Sequence, residues 1–217
     1  MLAINEIEFE NVAIDSPQAL AALRATGKLP FDQMPLLEID GKCLSQSNSM
    51  VRFLARCGGL YGDNDEDRLY CDMVAGAVGD FAEATMQAAF QPSEEIVLLS
   101  LQERFGKFGP RFEARLNENG SGFCAGARLT FADVVLAEAL NAYLERIPDI
   151  LKDTPLVADL YARVLGTPGI SRYLQSPQRY PMPGSDYVIS VAGVLQRALP
   201  SHMPNPKRFV SLAEKPQ

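Results

Sequence analysis

Between Leu29 and Ser47 the chain reads LPFDQMPLLEIDGKCLSQS, and this stretch holds the residues whose types and spacing could do chemistry. Gln46 and Ser47 open an apolar-periodic segment carrying Met50, Val51, Phe53 and Leu54, so Ser47 is predicted to cap a helix. The first N–H groups of a helix have no intrahelical acceptor and lie at the positive end of its dipole, where a carboxylate binds well. Upstream, Met34 precedes Pro35. A cis bond is accessible to proline; it would turn the chain sharply there and leave the backbone polar groups of Met34 facing outward. Between these two features, Leu36 to Ile39 reads as a short strand, Asp40-Gly41 is a strong two-residue hairpin signal, and Cys43-Leu44 begins the returning strand.

The whole chain bounds what this stretch can serve. With 217 residues, 47% of them hydrophobic, it can bury a core in one large or two small domains, and the dominance of helical patterns after residue 65 favours two. The net charge of −7 and pI near 4.8, without a clustered basic patch, argue against nucleic acid and anionic membrane as partners. Four cysteines, Cys43, Cys57, Cys71 and Cys124, show no C-x-x-C and no metal spacing, and neither a signal peptide nor an apolar run near twenty residues is present. A reduced, soluble, cytoplasmic protein without a metal is expected. The single histidine, His202, falls in the proline-rich end from Pro200 and reads as a solvated residue, not a base.

The elements that must position the stretch follow from pattern. Leu2 and Ile4 resemble the last turn of a helix, and Ile7 to Ile14 alternates as a strand with one irregular step. Ser16 to Thr26 is predicted helical, with Pro17 at its first position and Gly27 closing it. The helix from Ser47 runs to about Arg56 and stops at Gly58-Gly59. Asp63, Asp65, Glu66 and Asp67 lead into a long helix whose apolar stripe reads Leu69, Met73, Val74, Ala77, Val78 and Phe81; acids at a helix start suit the dipole and need no metal. A second long helix, Glu94 to Leu116, offers Ile96, Leu99, Phe105, Phe108 and Phe112 as its buried face, with a kink expected near Gly106, Gly109 and Pro110. In ARLTFADVVLAEAL, Thr130 and Asp133 are spaced as a capping box and Leu129 with Val134 as a hydrophobic staple. The helix they open, Phe131 to Tyr143, is apolar nearly all round and should lie at the centre of a helical domain. Two further helices begin at Pro155 and Pro168, and Tyr187 to Leu199 is predicted to form an amphipathic one.

The Leu29–Ser47 stretch resembles the glutathione-binding half of the cytosolic glutathione S-transferases of sigma, alpha, mu and pi type, whose pattern is roughly LPF-x-x-x-P-x-L-E-x-D-G-x-x-L-x-Q-S. The likeness extends from about Leu2 to Pro177. It implies a thioredoxin-like N-terminal domain over residues 1–60, an all-helical C-terminal domain over 65–176, and an extension over 177–217. In that family a strand precedes Ile7 to Ile14 and lies inside the sheet. The resemblance therefore implies a segment upstream of Met1, which would also carry the activating tyrosine or serine, so no catalytic residue is assigned in this chain. By resemblance, Gln33 contacts the tripeptide near its cysteinyl-glycine end, Met34 beside cis-Pro35 pairs with the cysteinyl amide, and Gln46 with Ser47 holds the γ-glutamyl carboxylate. Asp80 of a neighbouring subunit would meet the glutathione amine, Arg24 or Lys28 the glycyl carboxylate, and Phe31 would either insert into the partner or join the core. Glutathione as co-substrate, a small hydrophobic electrophile and a homodimer are thus implied, with conjugation or a prostaglandin-type isomerisation as the activity. The alternative is a non-catalytic glutathione-binding or structural relative. A glutaredoxin-type redox protein is disfavoured, because this chain offers no active-site cysteine.

Overall fold

Asp40 and Gly41 both take positive φ, 48° and 72°, the geometry of the tight turn that matches strand twist. They join β1 (Leu36–Ile39) to β2 (Lys42–Ser45) in an antiparallel pair with Leu36 opposite Ser45 and Ile39 opposite Lys42. The computed structural model describes residues 1–180 and 183–199, and this hairpin is the only sheet among them. Around it stand α1 (Pro17–Ala25), where the Ser16 hydroxyl accepts from the Ala19 N–H at 3.2 Å, and α2 (Ser47–Cys57).

The helical layer begins at α3 (Asp65–Ala88), capped by Asn64, whose side chain accepts from the Asp67 N–H at 2.9 Å. It continues through α4 (Glu94–Asn119), α5 (Phe131–Leu144), α6 (Pro155–Leu165), α7 (Pro168–Leu174) and α8 (Ser185–Leu195). The α5 helix packs against both α3 and α6, which explains its apolar circumference. At its far end the Tyr143 ring lies 4.2 Å from that of Phe81, nearly parallel, with Phe105 and Phe112 closing around the pair. The Tyr143 hydroxyl donates to the Phe81 carbonyl at 2.8 Å, so this buried phenol is satisfied.

At the near end both halves of the capping box are formed. Asp133 is wholly buried and accepts from the Thr130 N–H at 2.7 Å, the Thr130 hydroxyl at 2.8 Å and the Cys124 N–H at 2.6 Å. Burial pushes its carboxyl above the ordinary range, and the donated hydrogen bonds oppose that rise.

Several expectations are corrected. Residues 7–15 form no strand: Gln178 donates to the Phe9 carbonyl at 3.0 Å, Asn11 donates to the Gln178 carbonyl at 3.2 Å, and the Phe9 ring faces Tyr173. The segment thus finds its partners at the end of α7 and just beyond it, and not on the hairpin. Before it, Ala3–Asn5 is a 3-10 turn rather than the end of an α-helix, seated so closely on Gly58 and Gly169 that a Cβ at either would collide with it. On α3 the stripe facing the core is Cys71, Val74, Val78, Phe81, Ala84 and Ala88, while Leu69 and Met73 are exposed. On α4 it is Val97, Leu101, Phe105, Phe108, Phe112 and Leu116; Ile96 and Leu99 face outward, and the helix runs unbroken through Pro110. The last helix, α8, ends at Leu195, where Gln196 turns to positive φ, and packs on α1 with Val188 and Val194 buried. The end from Pro200, with His202, lies outside the described residues.

Replacing Asp133 with Ala leaves three buried donors without an acceptor, each costing about 1 to 3 kcal/mol. Asp133→Ala is expected to lower unfolding stability by about 3 kcal/mol or more, read from the urea midpoint, and Asp133→Asn by less.

Candidate functional site

The site forms where the hairpin runs into α2. Gln46, with φ 68° and ψ 102°, occupies the capping position that the sequence assigned to Ser47; its carbonyl accepts from the Ser49 and Met50 N–H groups at 2.8 and 3.1 Å. Ser47 is therefore the first helical residue. Gln46 makes no side-chain cap to α2 and instead donates through Nε2 to Gln33 Oε1 at 2.8 Å. The Ser47 and Asn48 amides consequently stay open to an outside acceptor, which is the condition for binding a carboxylate.

The peptide between Met34 and Pro35 is cis, and Met34 is 45% exposed in front of β1. Gln33, Met34, Pro35, Gln46 and Ser47 are thus gathered on one polar rim. Asp80 stands apart from them, on the solvent side of α3. The two cations considered for a ligand carboxylate already have partners, since Arg24 meets Asp32 and Lys28 meets Glu38, both at 2.6 Å. The hydrogen bond to Glu38 raises the Lys28 pKa. Phe31 is 65% exposed, so its core alternative is excluded.

Sequence reading passed over a neighbouring network. Arg52 of α2 donates through Nε to Asp72 Oδ1 at 2.7 Å and through a terminal nitrogen to the Asn48 carbonyl at 3.2 Å. Asp72 also accepts from the Tyr61 hydroxyl at 2.8 Å, and the Tyr61 ring stacks on Phe131 at 5.1 Å. Partners eleven and twenty residues apart in the chain leave no periodic signal to find them by.

A cleft of about 630 Å³ lies elsewhere, walled by Phe9, Met86, Ile170 and Tyr173, with Glu138 opening onto it. Solvent reaches the Glu138 carboxylate, yet protein surrounds it, and this desolvation raises its pKa. No residue of the 29–47 stretch lines this cleft. A second recess, about 400 Å³, is lined by Arg56, Arg68 and Arg128; Asp65 and Asp63 neutralise the latter two. Among the described residues no group of three His, Cys, Asp or Glu side chains is placed to hold a metal ion, and no helix is long and apolar enough to cross a membrane.

Comparison with known proteins identifies the family. The description "Glutathione S-transferase, N-terminal domain" matches residues 1–56, and "Glutathione S-transferase, C-terminal domain" matches residues 79–177. Glutathione S-transferase alpha-4 of Rattus norvegicus is 33% identical over 200 residues, covering 90% of each chain. Among solved structures, a monomeric glutathione S-transferase of the hookworm Necator americanus aligns with TM-score 0.72 and 25% identity over 82% of this chain and 89% of that one. A prostaglandin synthase D of Nilaparvata lugens shares the fold, with TM-score 0.68 and 23% identity over 83% and 90%. The chain belongs to the glutathione S-transferase family: a thioredoxin-like N-terminal domain followed by an all-helical one, and a transferase by that membership.

The four thiols differ in access. Cys57 is exposed, Cys43 half-buried, and Cys71 and Cys124 are buried, which pushes both of their pKa values up. A chromogenic disulfide reagent at neutral pH is expected to modify Cys57 first and Cys43 more slowly, with Cys71 and Cys124 reacting only after denaturant is added.

Proposed function

We propose that the rim formed by Gln33, Met34, Pro35, Gln46 and Ser47 binds glutathione, the co-substrate of the family, for conjugation to small hydrophobic electrophiles. The observation that carries this reading is the Gln46–Gln33 hydrogen bond at 2.8 Å, because it keeps the Gln46 side chain off its own helix and leaves the Ser47 and Asn48 amides open. A γ-glutamyl carboxylate accepts from the Ser47 and Asn48 N–H groups and the Ser47 hydroxyl, while the cysteinyl amide pairs with the outward main chain at Met34. The tripeptide's thiol is thereby held in front of Pro35. Its nucleophile is the thiolate, and an unassisted thiol has pKa about 8.5, so conjugation needs a hydroxyl to favour the ionised form. None of the rim residues is assigned that role. The same held thiol serves sigma-like, prostaglandin-type isomerisation.

Asp80 has no role toward glutathione within its own subunit in this reading; it reaches the glutathione amine of a second copy. The exposed Phe31, Leu69 and Met73 supply the apolar contacts of that homodimer. The division into residues 1–60, 65–176 and 177–217, and a cytoplasmic location, complete the proposal.

Titration calorimetry tests the binding. The wild-type chain is expected to bind glutathione, and Gln46→Ala to weaken the affinity about tenfold, equivalent to about 1.4 kcal/mol. No heat with glutathione, or equal affinity in the variant, overturns the assignment. Sedimentation tests the assembly: Phe31→Ser should shift a dimer toward monomer while leaving the helical circular dichroism intact, and a wild-type chain that sediments as monomer refutes it.

A further inference from the structure

The α2 helix carries the glutathione rim on its first turn and, one and a half turns on, the Arg52 that binds the helical layer. Three contacts converge on that second point. The Arg52 guanidinium joins Asp72 of α3 at 2.7 Å, holds the Asn48 carbonyl of its own first turn at 3.2 Å, and lies 5.8 Å from the centre of the Phe131 ring at the start of α5. Asp72 is shared with the Tyr61 hydroxyl at 2.8 and 3.0 Å. Tyr61 itself stacks on Phe131 and carries the Arg56 guanidinium 4.9 Å above its ring. The linker is fixed at the same place, as the Phe131 N–H donates to the Leu60 carbonyl at 2.7 Å. Arg52 and Asp72 are both partly shielded, so their contact is less screened than a surface pair.

We propose that Arg52 and Asp72 are positioning residues for glutathione, setting the Gln46–Asn48 turn from the helical domain so that the affinity of the rim depends on a contact made outside it. The inference rests on the glutathione reading above. Neither side chain touches the tripeptide. The route is short: Asp72 fixes the guanidinium, the guanidinium fixes the Asn48 carbonyl, and Asn48 directly follows Ser47 in the turn whose amides face the ligand. Tyr61 keeps Asp72 oriented, and its own hydroxyl is held un-ionised by burial and by that hydrogen bond.

The test uses the full chain with Arg52→Met, Asp72→Ala, Asp72→Glu and the Arg52→Met/Asp72→Ala double variant. Glutathione affinity by calorimetry should fall about five- to tenfold in each of the Met and Ala variants, fall no further in the double variant, and recover in part in Asp72→Glu. Hydrogen–deuterium exchange should speed up over residues 46–51 with α5 and α6 unchanged, a local loosening that a purely structural loss would not confine there. A lowered urea midpoint with unchanged glutathione affinity and unchanged exchange at residues 46–51 overturns the proposal. A wild-type chain that fails to bind glutathione overturns the earlier reading and this one together, whereas a binding wild type with unaffected variants removes only the coupling.

Discussion

Much of the molecule hangs on the buried carboxylate of Asp133. It gathers two backbone amides and a hydroxyl from the Cys124–Thr130 loop, and in doing so fixes where α5 begins. That loop is held from its other side by Arg115, which donates to the Cys124 carbonyl at 2.9 Å, and by Asn119, which donates to Gly126 at 2.8 Å. A helix as apolar as α5 has few polar cues to set its register, so the start must be specified by hydrogen bonds. Once it is, Phe131 is presented to Tyr61 and the linker, and the α2 helix has a surface to dock against. The constraint is remote from the Gln46–Ser47 turn, yet α2 meets α5 at the residues it positions.

The proposed glutathione rim carries little side-chain charge. Its donors are largely main chain, and the side chains around it are uncharged glutamines and a serine. The two cations considered for a ligand carboxylate are paired, Lys28 with Glu38 and Arg24 with Asp32. In the proposed binding mode affinity depends on how rigidly that turn is held and not on any ion pair to the ligand, which makes the attachment of α2 to the helical layer the quantity of interest.

Features set by local chemistry were legible in advance. The Asp40-Gly41 turn needs only two adjacent residues, the Thr130–Asp133 box only four, and the prolines at 155 and 168 mark their helix starts alone. Faces were less legible, because α3 and α4 each carry more than one apolar stripe, and periodicity does not say which one meets the core. Leu69 and Met73 match Val74 and Val78 in hydrophobicity but point the other way. The segment from Ile7 to Ile14 has a true alternation at Ile7 and Phe9, but its hydrogen-bond partners come from Gln178, far along the chain. Of the residues singled out in the sequence, Gln33–Pro35 and Gln46–Ser47 come together because the hairpin between them is itself legible, which the Gln46–Gln33 contact reflects. Arg52, Tyr61 and Asp72 were not legible, as each is unremarkable until folding brings the three together.

The two glycines under the Ala3–Asn5 turn act as a height gauge. Gly58 ends α2 and Gly169 lies in α7, and both meet the turn without room for a single extra carbon. Met1, Leu2 and Ala3 form part of the wall of the large cleft. A methyl group added beneath them would lift that wall outward while altering no residue of the pocket itself. Gly169 therefore sets the height of that wall, although it is not among the residues that line the cleft.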